Sequence, residues 1–440
     1  MTTAADFDKK YNIVDEKPPR HSLLRGRFKR SFAYYTLRER LPVILTQVLD
    51  NLSRDKDDIA EQYGEEVREE IKEIVGNISK LKYQLQTDKA LEPFTGNEPD
   101  KEMWNAFIAG LNADNDTFFR ICWLHGECYM YRRLSSYFQS MIKMKDYDYF
   151  LKQKENALKC CTDALENVVN STRDSVLSEE FFIRILKLNL WGNRCDLSIS
   201  EGKEIKQTGN LFDSVDSLNS NILVDDTKQI WNCISEPIEG NSRIIDFVQD
   251  NSGFEMFTDL LVAEYLIDKN LATKIRFHVK AIPWFISDVT PNDFLWTLDY
   301  LRNHPTSTVL RSVGEKWYKL LQDGKFEIAP QEWFWTSPYE FYRMKEINEK
   351  LYNKLAESHI VIFKGDLNYR KLIGDFTWDF TENFKTCLRG FQPTNVCTLR
   401  TVKADLICGL KEGTADNLDK IKPDWMVTGE FGVLQFSSST

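Results

Sequence analysis

The alternation of apolar and polar positions changes its period about halfway along the chain. Up to about residue 190, apolar residues recur every three to four positions, the repeat of an amphipathic helix. The pattern runs from Phe32 to Leu52, then through Ile59, Val67, Ile71, Ile74, Ile78 and Leu81 of the charged stretch 55–85. It continues from Trp104 to Met144 and from Tyr149 to Val169. Glycine and proline are rare there, which favours helices. Residues 198–221, SISEGKEIKQTGNLFDSVDSLNSN, are polar and turn-rich and read as a long connection. Beyond them, short apolar runs at 244–248, 275–279, 283–287, 360–363, 396–399 and 431–436 alternate with helical patterns. Strand alternating with helix predicts an α/β fold, a three-layer α/β/α sandwich. The expected organisation is a helical N-terminal region over residues 1–200 and an α/β core over 201–440.

In parallel sheets, ligands bind in the crevice beyond the carboxyl ends of the strands. Polar residues that close an apolar run therefore matter most. The run 244–248 leads into Asp250-Asn251-Ser252-Gly253, and from Phe254 the spacing turns helical. The run IPWFIS closes on Asp288, and HIVIF leads into Lys364-Gly365-Asp366-Leu367-Asn368-Tyr369-Arg370-Lys371. Three such ends suggest one shared site.

Asp250, Asn251 and Asp288 offer only oxygen donors, a set that suits hard divalent cations such as Mg²⁺ or Mn²⁺. Glu255 lies four residues after Asn251 and would share its helix face, placed to hold a metal-bound water or touch a substrate. A helix starting near Ser252 would also offer free N–H groups to an anion. The same residue types are good helix caps, and both readings fit Asp250, Asn251 and Asp288. Lys364, Arg370 and Lys371 concentrate charge for charge-assisted bonds to a phosphate, and Gly365 would let backbone approach a ligand closely. A solvated loop is the competing reading. In Val396–Lys403, a strand would put Thr401 and Lys403 on one face and Arg400 on the other. Arg400 and Lys403 would then complete an anion cradle or lie on an ordinary surface. At the end of an apolar helix, Gly192 reads as a stop, with Asn193 and Asp196 as candidate pocket groups.

Composition narrows the chemistry. With 57 basic and 67 acidic residues the net charge is −10, which disfavours general attraction to nucleic acid or anionic membrane. None of the five histidines falls in these motifs, which weighs against a zinc hydrolase. The nine cysteines are scattered without CxxC spacing, so reduced, mostly buried thiols in a cytoplasmic or nuclear setting are expected. The opening residues MTTAADFDKKYNIVDEKPPR are polar, unlike a secretory signal, and no apolar run approaches the roughly 20 residues that span a bilayer. No GxxxxGK[ST], GxSxG, HExxH, Cys-x5-Arg or GxGxxG is present. A basic and aromatic stretch runs from Arg20 to Arg40, with Phe28, Phe32, Tyr34 and Tyr35 among Arg25, Arg27, Lys29, Arg30, Arg38 and Arg40. It fits an RNA-binding or acidic-partner helix. It equally fits a helix that packs its rings on the core, solvates its charges and borders a pocket.

DNSGFE at 250–255, Asp288 in PWFISD, KGDLNYRKL at 364–372 and RTVK at 400–403 together resemble the damage-control phosphatases, formerly the domain-of-unknown-function-89 family. The RTxK tetrad is similar to that of its third subfamily, which includes acidic-residue methyltransferase-like proteins. The resemblance covers most of the chain. It implies a metal-dependent phosphatase of sugar phosphates such as fructose 1-phosphate or fructose 6-phosphate, with Mn²⁺, Co²⁺, Ni²⁺ or Mg²⁺ as cofactor and a small molecule as partner. By motif, Asp250, Asn251 and Asp288 would hold the metal, and Glu255, Asp366, Leu367, Asn368, Tyr369, Arg370 and Lys403 would line the substrate site. The expected reaction is in-line attack on phosphorus by metal-activated water, with Asp366 or Asp250 assisting proton transfer; a transient aspartyl phosphate is the variant. The resemblance also implies an alternative, S-adenosylmethionine-dependent carboxyl methyl transfer. A cationic methyl donor uses neither a dication nor a lysine-rich pocket, so the residues favour the phosphatase. A non-enzymatic scaffold built on the Arg20–Arg40 stretch is the third reading.

Overall fold

The computed structural model describes residues 4–173, 176–192, 211–237 and 242–439. Seven strands form a single sheet: β1 (Ile222–Asp225), β2 (Ile244–Val248), β3 (Lys274–His278), β4 (Phe326–Ile328), β5 (Ile360–Lys364), β6 (Asn395–Thr401) and β7 (Gly432–Ser437). Their order is β1-β7-β6-β5-β2-β3-β4. Neighbours are parallel except β6 and β7. The central strands IIDFV and IVIFK are rich in β-branched and aromatic residues, as suits strands covered on both faces.

Side chains alternate between faces along each strand, and so do the two cores. Val248, Val361, Phe363, Val396 and Val433 enter one cluster. Ile245, Phe247, Ile360, Ile362, Cys397 and Leu434 enter the other. Helix Gly365–Ile373 packs on the first face, and helices Trp123–Gln139, Val67–Gln86 and Leu41–Arg54 join the same cluster, each packed on the next. Helices Thr162–Thr172, Glu179–Leu190, Phe254–Asp268, Pro291–Arg302 and Thr308–Gln322 cover the second. The sandwich of helix, sheet and helix is therefore the architecture. The cores do not divide at residue 200: buried residues from Ile13 to Phe150 pack with most of those from Phe334 to Val433, and most of those from Leu158 to Phe326 pack on the opposite face.

Five of the six expected strands form. The run 283–287 does not, because Phe285 (φ 42°) and Ile286 (φ 74°) take left-handed conformations that no strand accommodates. Asp288 thus sits on a loop, correcting its expected place at a strand end. The short β1 and β4 carry too few residues to show an alternating pattern. Of the expected connection, 198–210 lies outside the described residues, and Leu211–Ser217 is helical. Among the described residues no helix is long and apolar enough to cross a membrane.

From β2 the chain runs outward through β3 to β4, and from β5 it runs the other way into β6. The helix after β2 packs on one face of the sheet and the helix after β5 on the other. The adjacent pair β2–β5 is therefore a topological switch point, and the diverging helices leave a crevice at their carboxyl ends.

Candidate active site

Asp250 lies two residues beyond β2, and Gly365 opens the helix after β5. They meet across the switch point. Gly365 has φ +82°, and a Cβ there would fall 1.9 Å from Asp250 Oδ2. The carboxylate occupies the space that the missing side chain leaves. Asp288 arrives from the loop after β3 and is fixed by backbone. Val289 N–H donates to the Asp250 carbonyl (2.9 Å) and Ser252 N–H to that of Ser287 (2.7 Å). The left-handed Phe285 is held by Tyr131, whose ring stacks on it at 4.5 Å. Backbone in that region costs about 1–3 kcal/mol per residue, a cost that clusters at functional sites.

Asp250 and Asp288 are both buried, 7% and 2% exposed. Burial pushes the Asp250 carboxyl well above the usual carboxylate range, and the charges of Asp288 and Glu255 push it further. Burial raises Asp288 to about 6 against the opposing pull of the Lys280 ammonium. That ammonium is 3.3 Å from Asp288 Oδ2 and donates to the Gln249 carbonyl at 2.8 Å. Even so, Asp288 Oδ2 accepts no well-aligned hydrogen bond. Asn251 Nδ2 donates to Asp250 Oδ2 and to Glu255 Oε2, both at 2.8 Å, and its Oδ1 accepts from the Ser287 hydroxyl.

Two buried, mutually repelling carboxylates and an under-satisfied oxygen fit a bound cation. The donors are all oxygen, so a hard divalent ion fits and a soft one does not. Among the described residues no group of three or more His, Cys, Asp or Glu side chains is arranged to hold a metal. The two carboxylates match an ion such as Mg²⁺ that keeps waters and takes phosphate oxygens, and the Asn251 amide joins them as a ligand only by turning its oxygen to where its nitrogen now faces Asp250.

Around this pair opens a cleft of about 390 Å³, within the range of small-molecule sites. Glu255, Asp366, Leu367, Arg370 and Lys403 line it, as the motifs implied. The model of the damage-control phosphatase ARMT1-like domain matches residues 36–418. The chain belongs to that family. A damage-control phosphatase ARMT1 of Danio rerio is 40% identical over 94% of this chain and 96% of its own length. The human protein of the same name is 36% identical over 94% of this chain and 98% of its own length. A duf89 family protein from Pyrococcus horikoshii is a slighter structural likeness, at TM-score 0.40 and 16% identity, covering 72% of this chain and 90% of that one.

Several motif residues of this damage-control phosphatase act behind the cleft wall. Lys364 is buried and gives its ammonium to Asp259 (2.7 Å) and Glu255 (3.2 Å), so it steadies Glu255 instead of meeting a phosphate. Asn368 Nδ2 donates to the carbonyls of Lys364 (2.7 Å), Val248 and Gln249 (both 3.3 Å), stitching the end of β2 to the helix after β5. The Tyr369 hydroxyl lies 3.4 Å from Cys408 Sγ. Arg400 Nε donates to Asp366 Oδ1 at 2.7 Å, and its other nitrogens donate to the Leu406 and Ala404 carbonyls. It shapes the loop that carries Lys403. Asn193 and Asp196 lie outside the described residues.

Phe32 and Arg40, from the basic and aromatic stretch that fits the border of a pocket, line the cleft too, as do Trp123, Glu127, Tyr131 and Phe285, which no motif announces. Trp123, Glu127 and Tyr131 lie on the helix Trp123–Gln139, whose helical spacing gives no sign of a site. Glu127 accepts from Arg370 at 2.7 Å, and Asp375 accepts from it at 2.8 Å. The Arg370 guanidinium lies 3.5 Å from the Trp123 ring centroid. Arg370→Met strands two buried carboxylates and is expected to cost about 3–5 kcal/mol of stability in chemical denaturation. A cost below about 1 kcal/mol would contradict a buried charge trio.

Proposed function

We propose that this phosphatase is a divalent-metal-dependent phosphomonoesterase that acts on sugar phosphates and related reactive phosphometabolites, fructose 1-phosphate and fructose 6-phosphate among them. The observation that carries the reading is the buried Asp250–Asp288 pair, with Asp288 Oδ2 under-satisfied, at the switch point of a cleft that also presents Lys403 and Arg370. Asp250, Asn251 and Asp288 would hold the ion. When bound, it would polarise the phosphoryl group and offset the charge that develops on it. Lys403 stands at the same pole, where its charge lowers the Asp250 carboxyl. Asp366 is fixed through Oδ1 by Arg400 and by the Lys403 N–H (3.2 Å), which leaves Oδ2 to take a proton from attacking water. The walls of Phe32, Trp123, Tyr131 and Phe285 limit bulk water near the reacting group and strengthen each electrostatic contact.

The test is phosphate release from a panel of sugar phosphates by metal-stripped protein, with Mn²⁺, Co²⁺, Ni²⁺ or Mg²⁺ added back. S-adenosylmethionine methyl transfer is measured in parallel. Restoration of release by a divalent ion supports the reading, and methyl transfer without release overturns it. The raised carboxyls add a pH signature. Protons compete with the cation once the pH falls through about 6, the range of Asp288. Mn²⁺ affinity measured by calorimetry should therefore drop between pH 7 and pH 5; an affinity constant over that range would contradict these ligands.

A further inference from the structure

The basic and aromatic N-terminal stretch ends inside the cleft. A short helix, Phe32–Tyr35, passes into a π-helical turn, Thr36–Arg40, and then into the helix Leu41–Arg54. Leu41 N–H donates to the Thr36 carbonyl, five residues back. Pro42 accounts for the widened turn. It has no N–H to give, and in a continuous α-helix its ring would collide with the Arg38 carbonyl. The wider turn brings Arg40 to the cleft wall beside Phe32, with its guanidinium 5.5 Å from the Phe32 ring centroid. The Phe32 N–H donates to the Asp405 carboxylate, which ties this segment to the loop after Lys403.

The cleft-lining cations differ in what already occupies them. Arg370 is committed to Glu127 and Asp375. Lys403 acts on Asp250, at the metal pole. Arg40 is exposed, and among the described residues it ion-pairs with no carboxylate. Its charge acts on Glu127 and Tyr131, on the wall formed by the Trp123–Gln139 helix. An uncommitted guanidinium at the edge of a small-molecule cleft is shaped for the paired oxygens of a carboxylate or phosphate.

We propose that Arg40 is a specificity-determining residue that grips a second anionic group of the substrate, a carboxylate or a further phosphate remote from the reacting phosphoryl group. The inference rests on the phosphatase reading and adds to it a preference, among the substrates, for phosphomonoesters with an anionic far end over plain monophosphates.

The experiment uses the full chain loaded with Mn²⁺ and two phosphonate probes that differ by one terminal carboxylate, butylphosphonate and 4-phosphonobutyrate. Calorimetry on wild type, Arg40→Lys and Arg40→Ala is paired with kinetics on a hexose monophosphate and a hexose bisphosphate. Wild type should bind 4-phosphonobutyrate about 10-fold more tightly than butylphosphonate, the size of one charge-assisted contact. Arg40→Ala should erase that preference, with Arg40→Lys between. For the bisphosphate, KM should rise roughly 10-fold in Arg40→Ala, while kcat for the monophosphate holds. Equal weakening of both probes would assign Arg40 to the shared phosphonate and overturn the proposal, as would no weakening of either or no binding to wild type. If no ester is hydrolysed yet the probe preference depends on Arg40, the phosphatase reading fails and the second-anion site stands.

Discussion

Asp288→Ala is expected to abolish phosphate release, a loss of at least about a thousandfold, while the metal-free protein melts at an unchanged or higher temperature. The two effects share one cause. Asp288 and Asp250 are buried side by side with charges that repel, and burial disfavours the ionised form of each. Removing Asp288 relieves that penalty in the empty site, where Lys280 keeps its bond to the Gln249 carbonyl and the charge of Asp250, and removes half of the anionic charge that would hold the ion. Asp250→Ala should behave alike, with Asn251 losing an acceptor as well. Mn²⁺ should raise the melting temperature of wild type and leave both variants unmoved, because a ligand stabilises only the state it binds. Wild-type release in both variants would remove these aspartates from the reaction.

Gly365→Ala should be nearly as severe and destabilising too. The added methyl would stand 1.9 Å from Asp250 Oδ2 and 2.2 Å from its Cγ, so the carboxylate has to leave its position. The φ of +82° adds about 1–2 kcal/mol for any residue with a Cβ. A loss of roughly 2–4 kcal/mol in denaturant and of at least about a hundredfold in release is expected. Gly390 supplies the control: its φ is +85°, but a Cβ there meets nothing within 4 Å. Gly390→Ala should show the backbone cost alone and keep its activity. Equal activity in the two variants would show that Asp250 does not depend on the open space above Gly365.

The parts of this site legible in the sequence are those that lie on contiguous runs. Asp250 and Asn251 follow a strand directly, and Gly365 to Arg370 follow another, so strand grammar placed both at sheet ends that turn out to adjoin. Asp288 stands out in the sequence by closing an apolar run, yet that run is not a strand. The apolar run before it is a loop with two left-handed residues, and no periodicity signals positive φ at Phe285 and Ile286. Lys364 reads like a phosphate ligand because a cation after a strand usually faces solvent or ligand. Its alternation parity instead sends it to Asp259 and Glu255. Arg40 and Trp123 belong to helices far away in sequence, and only the three-dimensional packing brings them to the cleft. The helix-sheet-helix class was readable from the change of period. The division at residue 200 was not matched by the cores, since periodicity says which face of a helix is buried but not against what.

The shared core of residues 13–150 and 334–433 also constrains how the chain is made. Leu45, Ile78, Trp123 and Leu134 leave the ribosome long before Phe363, Val396 and Val433, the sheet residues of their cluster, exist. At ordinary elongation rates, the roughly 180 residues between Phe150 and Phe334 take about 10–40 s to synthesise. For that interval the N-terminal helices have one another as native partners but lack the sheet and the helix after β5. A premature stop before β5 should therefore leave a fragment with uncovered apolar faces, where a two-module protein would release a folded unit.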